Sequence, residues 1–234
     1  MAFSFFSLNA QYKLAIYNAY IGNKMDVWKT IIDKMETHQS KSEEFLLELI
    51  NYEYGYIGWC IGNNEKKQAG TYLKLAEINL ESLEKTSLYP SYINAYKSAF
   101  LGYAIGLNKL KAPFLGPKSI SAAKQSMKEN ADNPFGFIQY ANAQFYMPPV
   151  FGGSKSEALE YYKRAQTIME KDRENLKNDW NYLSLLTNMA QAYTEIIKYD
   201  MAEQYYKHIL KIEPNFNWVK NELYPNFIKN RNNE

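Results

Sequence analysis

Apolar residues recur at helical spacing along almost the whole chain. Ile31, Ile32 and Met35 follow Trp28, and Phe45, Leu49, Tyr52, Tyr56 and Cys60 step by four, three, four and four. Ala69, Leu73, Ala76, Leu80 and Leu83 step by four, three, four and three, and Ile93, Tyr96, Phe100, Tyr103 and Leu107 repeat the alternation. A period near 3.6 puts each series on one face of a helix, so each predicts an amphipathic helix. No segment sustains the alternation of β-branched and polar residues that a strand requires.

The breaks between these series carry helix punctuation. Ile21-Gly22-Asn23 and Ile61-Gly62-Asn63 are the same tripeptide 40 residues apart. Each is expected to close one helix and cap the next, with Asn23 as an N-cap. Ser154 and Glu157 have the spacing of a capping box, and Asp200 with Glu203 repeats it. Pro90, Pro134 and Pro214 stand where a following helix would begin. These signals predict five helix hairpins over residues 12–37, 42–84, 89–130, 134–173 and 178–212. A last helix over 216–229 would turn Trp218, Leu223 and Phe227 inward as a cap, with the chain fraying from Arg231 onward.

The hairpins also read as repeats. Pro113-Phe114-Leu115-Gly116-Pro117 and Pro149-Val150-Phe151-Gly152-Gly153 are similar turns 36 residues apart, and Ala122 and Ala158 keep that offset. Ala190, Tyr193, Ala202, Tyr206 and Pro214 follow at intervals of 3, 9, 4 and 8. Small residues at such positions let two helices cross closely. The segment 183–216 thereby resembles a tetratricopeptide repeat (TPR). Residues 136–169 resemble another through Ala143, Tyr146, Ala158, Tyr162 and Ala165, and residues 50–83 a third through Ala69, Leu73 and Ala76. The Pro-Pro-Val-Phe-Gly-Gly turn at 148–153 resembles turns of TPR proteins of bacterial envelopes. The resemblance implies an all-α, right-handed α-α superhelix, a TPR-like solenoid of about five hairpins plus a C-terminal capping helix.

Composition narrows the function classes. Lys+Arg 27 against Asp+Glu 25 leaves a net charge of +2, which does not describe a nucleic-acid surface. Tyr is abundant at 21 residues, which suits half-buried helix layers and aromatic linings. The single cysteine, Cys60, rules out an intramolecular disulfide. Residues 1–10 are mostly apolar and end at Ala10 before a polar helical pattern, and are expected to be the remnant of an export signal. Residues 11–234 would then form one helical domain, periplasmic or secreted, with cytoplasmic residence as the alternative. No segment reaches the ~20 apolar residues of a membrane span.

Catalytic chemistry is not indicated. His38 and His208 lack metal-ligand neighbours, and Ser121-Ala122-Ala123-Lys124 lacks the companion motifs of acyl transfer. Neither catalytic nor metal-binding residues, nor a cofactor, are expected. The leading expectation is a protein- or peptide-binding scaffold that uses its concave groove. Its first helices would present Asn108, Gln144 and Gln191 as a row of exposed amides, with Tyr54, Tyr140 and Asn188 beside them. The alternative is an exported receptor for a small hydrophobic or amphipathic ligand in an aromatic-lined pocket.

Overall fold

The computed structural model describes residues 2–231, with side chains from residue 10 onward. The expected signal remnant at 1–10 therefore lies almost wholly outside the described side chains. Among the described residues there are eleven α-helices and no strand. They are α1 (Ala2–Ile21), α2 (Met25–Glu36), α3 (Glu43–Gly62), α4 (Lys66–Glu84), α5 (Pro90–Leu107) and α6 (Ala112–Glu129). After these come α7 (Pro134–Tyr146), α8 (Lys155–Met169), α9 (Trp180–Glu195), α10 (Tyr199–Ile212) and α11 (Tyr224–Arg231). One-turn 3-10 helices at Lys109–Lys111 and Pro149–Phe151 precede α6 and α8, and a π-helical turn at Val219–Leu223 leads into α11. Pro225 sits just after that turn; its ring would clash with the carbonyl four residues back, which a widened turn relieves.

Three helix pairs are joined by one turn geometry. After α1, the Asn23 amide donates to the Tyr20 carbonyl and Lys24 to Ala19. After α3, Asn64 donates to Ile61 and Glu65 to Cys60; after α9, Ile197 donates to Thr194 and Lys198 to Tyr193. Each is a Schellman closure around a residue in the left-handed region, with φ of 54° at Asn23, 62° at Asn64 and 60° at Ile197. Asn23 is thus a C-terminal stop for α1 and not an N-cap of α2. Asparagine serves both tasks, and its backbone angle decides between them. Ser154 does cap α8, accepting from the Glu157 amide at 3.2 Å. Asp200 does not cap α10: the helix has already begun at Tyr199, and the carboxylate instead takes Arg231 at 2.8 Å. Arg231 also reaches Glu203 at 2.7 Å, so the expected fraying does not begin there.

By its internal contacts the chain divides into two compact units, one of residues 29–143 and the other of residues 1–28 with 144–234. In the first, α3 packs on α4, α4 on α5, α5 on α6, and α3 on α5. The α5–α6 crossing is lined by small side chains: Ser91 Oγ donates to the Ser126 carbonyl at 2.8 Å, and Ser119 Oγ to the Ser98 carbonyl at 2.8 Å. Serines here satisfy each other across a gap too narrow for larger residues. A fully buried carboxyl, Glu53, accepts from Asn79 Nδ2 at 3.1 Å, and the same amide donates to Glu36 at 2.6 Å.

In the second unit α8 packs on α9, α9 on α10, and α1 on α9. The indoles of Trp28 and Trp180 meet edge-on at 5.0 Å, and Tyr20 packs on Phe216 at 4.8 Å. Ala158, Ala165, Ala190 and Ala202 are completely buried, as the repeat spacing requires of close crossings. Tyr146 breaks the register and is 71% exposed, because α7 ends on it and Pro148 prevents continuation. Within the last helical segment Val219 and Phe227 are buried, while Trp218 and Leu223 are half-buried.

Candidate functional site

In the unit of residues 29–143, the first helices of successive pairs meet around Tyr54. Its ring stacks on that of Tyr103 with centroids 5.5 Å apart and planes inclined by 20°. Tyr96 approaches Tyr54 edge-on at 5.9 Å, and Phe100 and Phe135 continue the cluster from Tyr96. The offset and edge-on arrangements are those the ring quadrupoles favour. Tyr103 is held by its hydroxyl, which donates to the Tyr54 carbonyl at 3.0 Å. Gly58 makes this possible, since a Cβ at that position would lie 2.8 Å from the same hydroxyl.

Polar groups from α7 close over the Tyr54 hydroxyl. Asn142 Nδ2 lies 3.4 Å from that oxygen and 3.2 Å from Gln139 Oε1. Gln139 is only 3% exposed, and its Nε2 has no hydrogen-bond partner in the protein. On α3, the Asn51 Oδ1 is likewise buried and unmatched, one helical turn before Tyr54 and so on the same face. A buried donor and a buried acceptor each left unmatched cost about 1–3 kcal/mol, a cost that an added polar partner removes. Burial, above all, pushes the Tyr54 phenol above its ordinary pKa. It is neutral at physiological pH and can both donate and accept.

Of the residues expected from the sequence, Tyr54 stands at the centre of this site. Tyr140 does not join it: the ring is buried, and Lys124 of α6 lies over it at 5.6 Å. Asn108 is exposed just past the end of α5, where its Oδ1 accepts from the Leu110 amide at 3.1 Å. Gln144 is 6% exposed, which corrects the expectation of an exposed amide at that position. The cause is the end of α7, where the chain folds back and the Ser154 amide bonds the Gln144 carbonyl at 3.1 Å. Asn188 and Gln191 are half-buried and three apart on α9, so they share a face.

Tyr103, Gln139, Asn142 and Asn51 were not singled out from the sequence. A signal for two of them exists: Gln139 and Asn142 stand three apart on α7, a helix without a single charged residue. Amides in such a setting point to a buried polar network.

Elsewhere, the His38 ring packs on Phe45 at 5.0 Å and His208 is exposed. Cys60 is buried, and its thiol is pushed up to about 11, foremost by burial. Among the described residues no cluster of three or more His, Cys, Asp or Glu side chains could hold a metal ion, and no helix is long and apolar enough to cross a membrane.

No protein-family model matches the chain, and no curated protein matches it. Among solved structures it is similar to the HusA haemophore from Porphyromonas gingivalis, with a TM-score of 0.62 and 16% identity. The likeness covers 78% of this chain and 90% of that one. At this identity it establishes a shared helical fold.

Proposed function

We propose that the chain is an exported, non-enzymatic receptor for a small, planar, amphipathic ligand held at the Tyr54 face, with haem as the first candidate. The successive helix pairs are read as a TPR-like superhelix whose inner helices carry the site. The observation that carries the proposal is the pairing of an aromatic stack with two unmatched buried polar groups, Gln139 Nε2 and Asn51 Oδ1. Rings offer stacking area to a flat ligand, and the amides offer polar ends to its edge substituents. The fold shared with a haemophore supports the ligand class.

The phenol at the centre is held neutral by burial, which favours stacking and hydrogen bonding over ligation of iron through a phenolate. A metal-free porphyrin should therefore bind about as well as haem. Titration of the purified protein with haemin and with protoporphyrin, followed at the Soret band, tests this. Saturable binding of both is expected. Tyr54→Phe and Gln139→Leu should each weaken it roughly 2- to 12-fold, the equivalent of one net hydrogen bond at ~0.5–1.5 kcal/mol. Absence of saturable binding by either porphyrin, with the protein folded by circular dichroism, overturns the proposal.

A further inference from the structure

The α5–α6 hairpin differs in charge from the rest of the chain. From residue 85 to residue 128 there is no Asp or Glu, while lysines stand at 85, 97, 109, 111, 118, 124 and 128. The whole chain carries only +2, so the positive charge is concentrated in this one hairpin. Two of these lysines are engaged within the unit: Lys97 pairs with Glu84, and Lys124 lies over the Tyr140 ring. Lys109, Lys111 and Lys118 are exposed and form no ion pair among the described residues; the acidic group that feels Lys111 through charge is Glu77 of α4.

The same turn exposes the most prominent apolar side chains of the unit. Leu110 is 84% exposed and Phe114 is 75% exposed, more than any other large apolar side chain described in this unit. Their display is built in. Asn108 fixes the 3-10 turn from both its side chain and its carbonyl, bonding the Leu110 amide at 3.1 Å and the Lys111 amide at 3.0 Å. On α6, Phe114 and Lys118 are four residues apart and share the outward face, and Pro113 and Pro117 stiffen that first stretch.

We propose that this turn docks on an anionic lipid surface, with Leu110 and Phe114 entering the interface and Lys109, Lys111 and Lys118 facing the headgroups. The proposal is independent of the ligand reading given above. Apolar side chains ringed by unpaired lysines are complementary to the acyl–headgroup boundary of an acidic bilayer. A bilayer also suits the shape: side chains that project from a tight turn need a medium to enter. A leucine at the apex adds nothing against a phosphodiester backbone, where arginine and stacking would serve.

Co-sedimentation of the full chain with phosphatidylcholine vesicles, with and without phosphatidylglycerol, tests the proposal. Binding is expected only with phosphatidylglycerol and should weaken as salt rises. Leu110→Ser with Phe114→Ser should abolish it. Lys109→Gln, Lys111→Gln and Lys118→Gln should each cost about fivefold, the equivalent of the roughly 1 kcal/mol that one basic residue near such a surface contributes. All five side chains are exposed, so circular dichroism should report an unchanged fold. Equal sedimentation with both vesicle types, or sedimentation unaffected by the Leu110/Phe114 variant, overturns the proposal. So does tight binding of soluble poly-glutamate in the absence of vesicle binding, which would assign the turn to an acidic polypeptide.

Discussion

The hydroxyl of Tyr17 donates to the Glu213 carboxylate at 2.9 Å, joining residues 196 positions apart in sequence. Beside this bond Asn217 Nδ2 donates to the Gly22 carbonyl at 3.3 Å, so α1 is fastened to the segment that follows α10. Tyr17→Phe removes the donor while keeping the ring. A hydrogen bond to a charged acceptor contributes about 1.5–3 kcal/mol, and the lower end is expected here because Glu213 remains partly hydrated. Urea unfolding measures it, and an unchanged midpoint would refute the assignment. Burial, reinforced by Glu213, pushes the Tyr17 phenol well above its ordinary value. Its contribution is intact below pH ~10 and declines as the pH rises beyond that.

Ala202 is completely buried on α10, which packs on α9. Ala202→Leu inserts three carbons where two helices cross closely and should cost about 1–3 kcal/mol. Thermal unfolding against His208→Ala, an exposed change on the same helix, separates packing from any general effect of substitution.

Ile197 occupies the left-handed position of its turn, where α1 and α3 use asparagine. A β-branched side chain is strained there, and at 72% exposure its burial offers little in return. Ile197→Asn is therefore expected to stabilise the protein by about 1 kcal/mol, read as a higher urea midpoint. A loss of stability would mean that the exposed isoleucine makes contacts that outweigh the strain.

Much of the architecture was legible before the structure. Helical spacing locates the helices after α1 to within a few residues, because an amphipathic helix must repeat its apolar face, whereas α1 begins at Ala2, ten residues before its expected start. Ala190 and Ala202 were identifiable as crossing points since only small residues allow close approach. What escaped depends on partners distant in sequence. Gln144 is buried by a turn that folds back over it, and Arg231 is ordered by carboxylates of α10. Nothing local to residue 54 announces Gln139 and Asn142, because α7 reaches Tyr54 only through tertiary packing. Tyr146 was misread for a local reason, in that Pro148 ends α7 before the tyrosine can face a partner helix.

Glu53 offers a test by pH. Burial holds its carboxyl well above the usual range, with Glu36 adding to the effect. Burial also pushes Glu36 upward, but Lys41, Glu53 and Asn79 more than offset it and leave that group lowered. Because Glu53 binds its proton more tightly when folded, its contribution is full below the unfolded value near 4.5. That contribution falls as the pH rises from there toward the raised folded value. The slope can reach about 1.4 kcal/mol per pH unit. Glu53→Gln mimics the protonated acid and should remove this decline, so the variant gains on the parent between pH 5 and pH 7. Parallel stability curves over that window would show that Glu53 is already ionised in the folded protein.

The division of the chain between its two units also dictates an order of assembly. Residues 29–143 have emerged from the ribosome together well before the C-terminal third exists, so their helices can pair as they are made. Residues 1–28 cannot: α9 and Phe216, against which α1 and Tyr20 pack, are synthesised after that unit. A segment translated before residues 29–143 is thus completed only after them, and until then the faces of Ile16, Tyr17 and Tyr20 stay open to solvent or to a chaperone. In a fold made largely of contacts between adjacent helices, closing that one long loop is the step expected to set the folding rate.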